Sequence, residues 1–273
     1  MFRYEFQSRP ASSGLRAGIP CLLLLLAFSM NAAAQDIGVP SANPADNPPQ
    51  VDPDLATRST DPDRPPAYGP EDAEVLIMVF SDYQCPSCRR INQATHQIAA
   101  EFPGEVRLEL WHHPLPSHKA AEIAAVAAVA AQRQGRFWEM HDRIFANKER
   151  LDEARLEALA QELGLDMDGY RADVKDPAVL ERVRSEAELA VALGAINTPG
   201  FVINGKVKQG WASWPNFRSI VGKEVAAANA LAEQGMDPSE IRNQRAIENN
   251  DNSETYEAYR SAVLEPRAPV APE

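Results

Sequence analysis

Apolar and polar positions alternate along this chain in blocks that predict its elements. Val75-Leu76-Ile77-Met78-Val79-Phe80 is an unbroken apolar run between polar residues, the pattern of a strand buried on both faces. Residues 86–101 follow at helical spacing, with Ile91, Thr95, Ile98 and Phe102 on one side and Pro86 in the first turn, where a missing N–H costs nothing. Glu105 to Trp111 alternates and predicts a second strand. Then come some 75 residues of helical character. Ala120 to Gln132 is mostly alanine, and Arg136 to Asn147 places Phe137, Met140, Ile144 and Phe145 on one side. A helix capped by Asp152 carries Leu156, Leu159 and Leu163, and one opened by Asp176-Pro177 runs to Gly194. The strand pattern returns in Phe201-Val202-Ile203, turns at Asn204-Gly205, and comes back through Lys206-Val207-Lys208. A helix from about Pro215 to Ala232 follows, and Asp237-Pro238-Ser239-Glu240 has the form of another helix start with a capping box. Strand, helix, strand, helices, hairpin, helix is the order of an α/β sheet carrying a helical insertion, at about 117–194 in a domain spanning 71–235.

The two ends read differently. Arg3, Arg9 and Arg16 precede the apolar run Ile19 to Met30, and Ala32-Ala33-Ala34 follows it, which is the arrangement of a secretory signal peptide over residues 1–34 with cleavage after Ala34. A 12-residue apolar run is too short to cross about 30 Å of hydrocarbon. Residues 35–70 hold nine prolines among small polar residues and predict an extended, disordered linker. Residues 236–273 form a C-terminal extension expected to be partly ordered.

Composition narrows the function. The chain has 273 residues, 44% of them hydrophobic, with 27 basic and 39 acidic side chains and a net charge of -12. Removing residues 1–34 leaves 24 basic and 38 acidic residues, a net charge of -14. An acidic chain of this kind lacks the basic surface that nucleic acid requires, so nucleic acid is not expected as a partner. Three cysteines in the whole chain also exclude a small disulfide-stapled scaffold. Cleavage after Ala34 removes Cys21 and leaves Cys85 and Cys88 alone in an exported chain, where disulfides can form.

Those two cysteines lie in Cys85-Pro86-Ser87-Cys88, at the junction of the buried strand and the next helix. A C-x-x-C pair serves either redox or zinc chemistry. Its place at a helix N-terminus favours the first, since unpaired N–H groups and the helix dipole stabilise a thiolate. Cys88, one turn further on, is within reach of a disulfide to Cys85. That spacing makes Cys85 the attacking sulfur and Cys88 the buried resolving partner. His112, His113 and His118 supply nitrogen donors for the zinc alternative, at a spacing unlike a zinc finger. Arg89 is one turn from Cys85, on a face that also reads as solvated. Trp111, Trp138, Trp211 and Trp214 are candidates either for a substrate groove or for the core.

Three segments together resemble the DsbA-like branch of the thioredoxin superfamily: Phe80 to Cys88, Gly135-Arg136-Phe137-Trp138-Glu139-Met140-His141, and Gly194 to Gly205 with Asn197-Thr198-Pro199-Gly200 at its centre. The resemblance covers about residues 70–232. It implies a thioredoxin fold with an inserted helical subdomain and a thiol:disulfide oxidoreductase, with Cys85 and Cys88 as the redox disulfide and Pro86 and Ser87 tuning it. Thr198 and Pro199 would form the cis-proline loop that holds substrate. The family's buried acid, six residues before the first cysteine, is Val79 here. The expected activity is disulfide exchange with unfolded or cysteine-containing exported proteins in the periplasm, in the oxidising direction, with a membrane redox partner to reset the dithiol. Secretion is the alternative location. A reductase or isomerase on the same fold and a metal-binding protein using Cys85 and Cys88 are the alternative functions. No metal or organic cofactor is implied.

Overall fold

The computed structural model describes residues 58–59, 61–147, 151–250 and 252–264. The expected signal peptide and residues 35–57 of the linker lie outside them. The element order is β1 (Arg58–Ser59), β2 (Ala67–Tyr68), β3 (Val75–Ser81), α1 (Pro86–Glu101), β4 (Val106–His112), α2 (Ala121–Gln132), α3 (Phe137–Ala146), α4 (Glu153–Glu162), α5 (Met167–Asp173), α6 (Pro177–Ala192), β5 (Gly200–Ile203), β6 (Lys206–Gln209), α7 (Trp214–Ala232), α8 (Pro238–Asn249) and α9 (Ser253–Tyr259), which continues as a π-helical turn, Arg260–Leu264. Among the described residues, six strands form one sheet in the order β1-β2-β4-β3-β5-β6. β3 and β4 run parallel and the other pairs antiparallel.

The unbroken apolar run of β3 has a direct physical cause. Val75, Ile77 and Val79 face a core shared with α1, α2 and α7, while Leu76, Met78 and Phe80 face a second core holding Trp111, Ala190, Val202, Ala246 and Tyr259. A central strand covered on both sides leaves no face for polar residues. Register then carries the chemistry. Phe80 pairs with Gly200, so the loop after β3 and the residues before β5 meet at one end of the sheet.

The insertion is built around α2, whose residues are buried almost throughout. Alanine permits this, because helices can approach closely around small side chains. A buried ion pair joins the insertion to the sheet. Glu186 of α6 accepts from the backbone N–H of His112 and lies 2.7 Å from His112 Nδ1, and Arg182 holds its other oxygen at 2.9 Å.

One segment differs from what composition predicts. The proline-rich stretch expected to run extended to residue 70 joins the fold already at β1, which pairs with β2, and Ala67 and Tyr68 are paired to β4 and fully buried. Pro65 and Pro66 are buried, and the stretch's carbonyls are used: Arg182 donates to those of Pro62 and Arg64, while Tyr68 packs on Trp138 at 4.2 Å between ring centroids. The C-terminal extension, expected to be partly ordered, packs on the sheet through its described residues. Arg242 donates to the carbonyls of Glu71 and Ala73, and Tyr259 is buried in the second core. The Asn204-Gly205 turn lies beneath α8. Both residues adopt positive φ (40° and 80°), as a two-residue hairpin turn requires. A Cβ on Gly205 would meet Ala246 Cα at 3.0 Å, so a glycine is needed there for space as well as conformation.

Candidate active site

Cys85 is the N-cap of α1, with Pro86 opening the helix. Its loop is shaped by Asp82, whose Oδ1 accepts from the N–H groups of Gln84 at 2.7 Å and Cys85 at 3.1 Å. Both cysteines are buried and carry free thiols. Opposite them, the Thr198–Pro199 peptide bond is cis, and the Cys85 thiol donates to the Thr198 carbonyl at 3.3 Å. The C-x-x-C half and the Thr-Pro half, 113 residues apart, therefore share one site.

The two thiols are electrostatically unequal. A hydrogen bond from Cys88 is the largest influence on Cys85 and, with the Thr198 side chain and the N–H groups of Cys88 and Ser87, holds its pKa down to about 5 against the opposing effect of burial. The Thr198 hydroxyl is buried and otherwise unpartnered among the described residues, free to donate to a thiolate. Cys88 is pushed the other way, far above the ordinary thiol range, first by that same bond to Cys85 and then by burial. Its sulfur faces the Ser81 hydroxyl and the Asp82 backbone. At neutral pH the reduced pair is one thiolate, Cys85, supported by one thiol, Cys88.

The other candidates separate. Ser87 is exposed at its hydroxyl, which accepts from Arg90 at 3.0 Å. Arg89 donates to the Asn147 carbonyl at 3.0 Å, away from the sulfurs. Val79 lies in the apolar core beneath the site. The three histidines diverge: His112 pairs with Glu186, His118 pairs with Asp82, and His113 is buried beside the Ile196 backbone, where burial holds its imidazole below the usual pKa. Among the described residues no three His, Cys, Asp or Glu side chains are placed to hold a metal ion. Trp111, Trp138 and Trp214 are buried, and Trp211 packs on Phe217 at 5.2 Å. The sequence offers Asp82 only as a stand-in for the buried acid that Val79 replaces, and not as the residue that shapes the loop. An acid three residues before the first cysteine is the only local sign of its role, and its partners, Leu115 and His118, come from a distant loop.

Known proteins agree with this geometry. The family described as Thioredoxin (Thioredoxin_4) matches residues 61–223. The chain is 28% identical to a thioredoxin-like oxidoreductase from Silicibacter pomeroyi, with a TM-score of 0.53 over 60% of this chain and 92% of that one. The thiol-disulfide exchange protein α-DsbA2 from Wolbachia pipientis shares the fold at 21% identity, a TM-score of 0.53, and 58% and 86% coverage. A Na(+)/H(+) antiporter, NhaA 3 of Salinispora tropica, is 33% identical over 65% of this chain but only 27% of its own length, so the chain spans about a quarter of that relative. Among the described residues no helix is long and apolar enough to cross a membrane. The chain belongs to the thioredoxin family, with DsbA-like thiol:disulfide exchange proteins among its structural neighbours.

Proposed function

We propose that the protein is an exported thiol:disulfide oxidoreductase that works as an oxidant of cysteine-containing proteins in the periplasm, through Cys85 and Cys88. The observation that carries this reading is the inequality of the two thiols. A thiolate held near pKa 5 stabilises the reduced pair, and whatever stabilises the reduced pair makes its disulfide a stronger oxidant. A substrate thiolate attacks Cys85 Sγ of the disulfide. The Cys85–Cys88 bond breaks, and Cys88 leaves with the electron pair and takes up a proton. A second substrate thiolate then attacks the substrate sulfur of the mixed disulfide and releases Cys85 as a thiolate. Two substrate thiols have become a disulfide, and the protein holds two electrons, which a membrane disulfide donor removes. Thr198 and Pro199, across from Cys85, hold the substrate strand, and Pro86 and Ser87 tune the pair.

The deciding experiment is equilibration against glutathione buffers with alkylation trapping of both thiols. A potential near about -120 mV supports the oxidant, and one near about -230 mV or lower makes the protein a reductase. In cells, Cys88→Ser is expected to accumulate mixed disulfides through Cys85, and their identification tests the substrate class. Periplasmic fractionation of a tagged chain tests the location.

A further inference from the structure

Val79 leaves the apolar floor of the site without a carboxylate, yet a carboxylate lies at its wall. The Asp82 side chain is 0% exposed. Oδ1 accepts from the N–H groups of Gln84 and Cys85, and Oδ2 accepts from the Leu115 N–H at 2.8 Å and from His118 Nδ1 at 2.8 Å. Four donors fill the acceptor positions of one carboxylate. A negative charge bonded to the backbone of Cys85, in a site shielded from solvent, works against a second negative charge on the Cys85 sulfur. His118 is the compensating group. Its side chain is 27% exposed, so the ring exchanges protons with water while Nδ1 stays anchored on Asp82.

We propose that Asp82 and His118 are positioning residues that couple the charge of the His118 imidazole to the Cys85 thiolate, so that protonation of His118 makes the disulfide a stronger oxidant. This rests on the redox reading above. The other titratable groups facing the site do not supply the coupling. Cys88 is held as a thiol, and buried His113, which feels the charge of Asp82, is held toward its neutral form. Arg89 is bonded to the Asn147 carbonyl, and Lys119, beside His118, is exposed. An imidazole changes charge between about pH 5 and 8. With His118 protonated, Asp82 is neutralised and the thiolate is favoured. With His118 neutral, the carboxylate stands uncovered and the thiolate is disfavoured. Linkage requires the reverse effect to be equal, so the thiolate must raise the affinity of His118 for its proton.

His118→Asn keeps a donor toward Asp82 and removes the charge. In glutathione equilibria at pH 6 this variant is expected to shift toward its disulfide form by about threefold or more relative to wild type, and to match wild type at pH 8.5. By NMR, the His118 ring of the wild-type protein should titrate higher in the reduced than in the oxidised form, by about half a pKa unit or more. An equal shift at both pH values would mark a merely structural role and overturn the proposal, as would no shift at either. A ring that titrates identically in the two redox states overturns it independently of any variant. Absence of a reversible disulfide in wild type would instead remove the redox reading itself, and the coupling with it.

Discussion

Among the groups that favour the Cys85 thiolate, the Cys88 thiol weighs most. Because the bond from Cys88 is the largest influence lowering the Cys85 pKa, its donor can be removed without touching the nucleophile. Cys88→Ala should move the midpoint of Cys85 alkylation up from near pH 5 by about one unit or more, whereas Cys88→Ser, which keeps a donor, should move it less. Rates of iodoacetamide labelling across pH check both. Backbone conformation makes another residue-scale test. Gly69 has φ 89°, and a Cβ there would sit 2.1 Å from the Val106 carbonyl oxygen; Gly135 has φ 71° and open space around it. Gly69→Ala should cost about 2–5 kcal/mol by urea unfolding, and Gly135→Ala about 1–2 kcal/mol, the left-handed backbone alone.

Among the elements, the tie between α6 and β4 is the most exposed to substitution. Glu186 is fully buried, yet the charges of His112 and Arg182 outweigh that burial and hold its pKa down to about 2. Glu186→Gln leaves those two donors facing a neutral amide, and should cost about 3–5 kcal/mol by denaturant unfolding. The sign of the pH effect follows from a depressed carboxyl: the stabilisation is complete above the unfolded glutamate value of about 4.3 and is lost as pH falls toward 2. This pair also shows what the sequence could not reveal. β3, α1 and the Asn204-Gly205 turn were legible because each is written in neighbouring residues: an apolar run, a proline-opened helical period, two residues suited to positive φ. Glu186 and His112 are 74 residues apart, and nothing near either names the other. β2 was hidden for a different reason. It is two residues long in a proline-rich stretch, and pairing to β4, not local preference, makes it a strand. The cysteines and Thr198-Pro199 were recognisable as motifs, but Asp82 and His118 meet only through the folded loops.

For the molecule as a whole, the C-terminal helices are part of the core. Ile241, Ala246 and Tyr259 are fully buried, and Arg242 ties α8 to the carbonyls ahead of β3. A chain ending at Met236 would open the face of β3 that carries Leu76, Met78 and Phe80. It should lose its cooperative thermal transition or aggregate, which calorimetry and light scattering would show. Redox state should also set global stability. A thiolate with pKa near 5 in the folded protein and about 8.5 when unfolded stabilises the reduced fold fully above pH 8.5, and that contribution fades as pH falls to 5. The melting temperature of the reduced protein, measured against that of the oxidised protein, should therefore rise with pH across this window.

The distance along the chain between Cys85 and Thr198 has a consequence for biogenesis. Chains are made from the N-terminus, and β3, the central strand, waits for β5 more than a hundred residues later before its second edge is paired. Until then Cys85 has neither the Thr198 carbonyl nor the Thr198 side chain beside it. A nascent chain thus presents a thiol of more ordinary reactivity, and the complete redox site comes into being only when the last third of the polypeptide arrives. A site completed so late along the chain is kept, by its own topology, from working before the fold is finished.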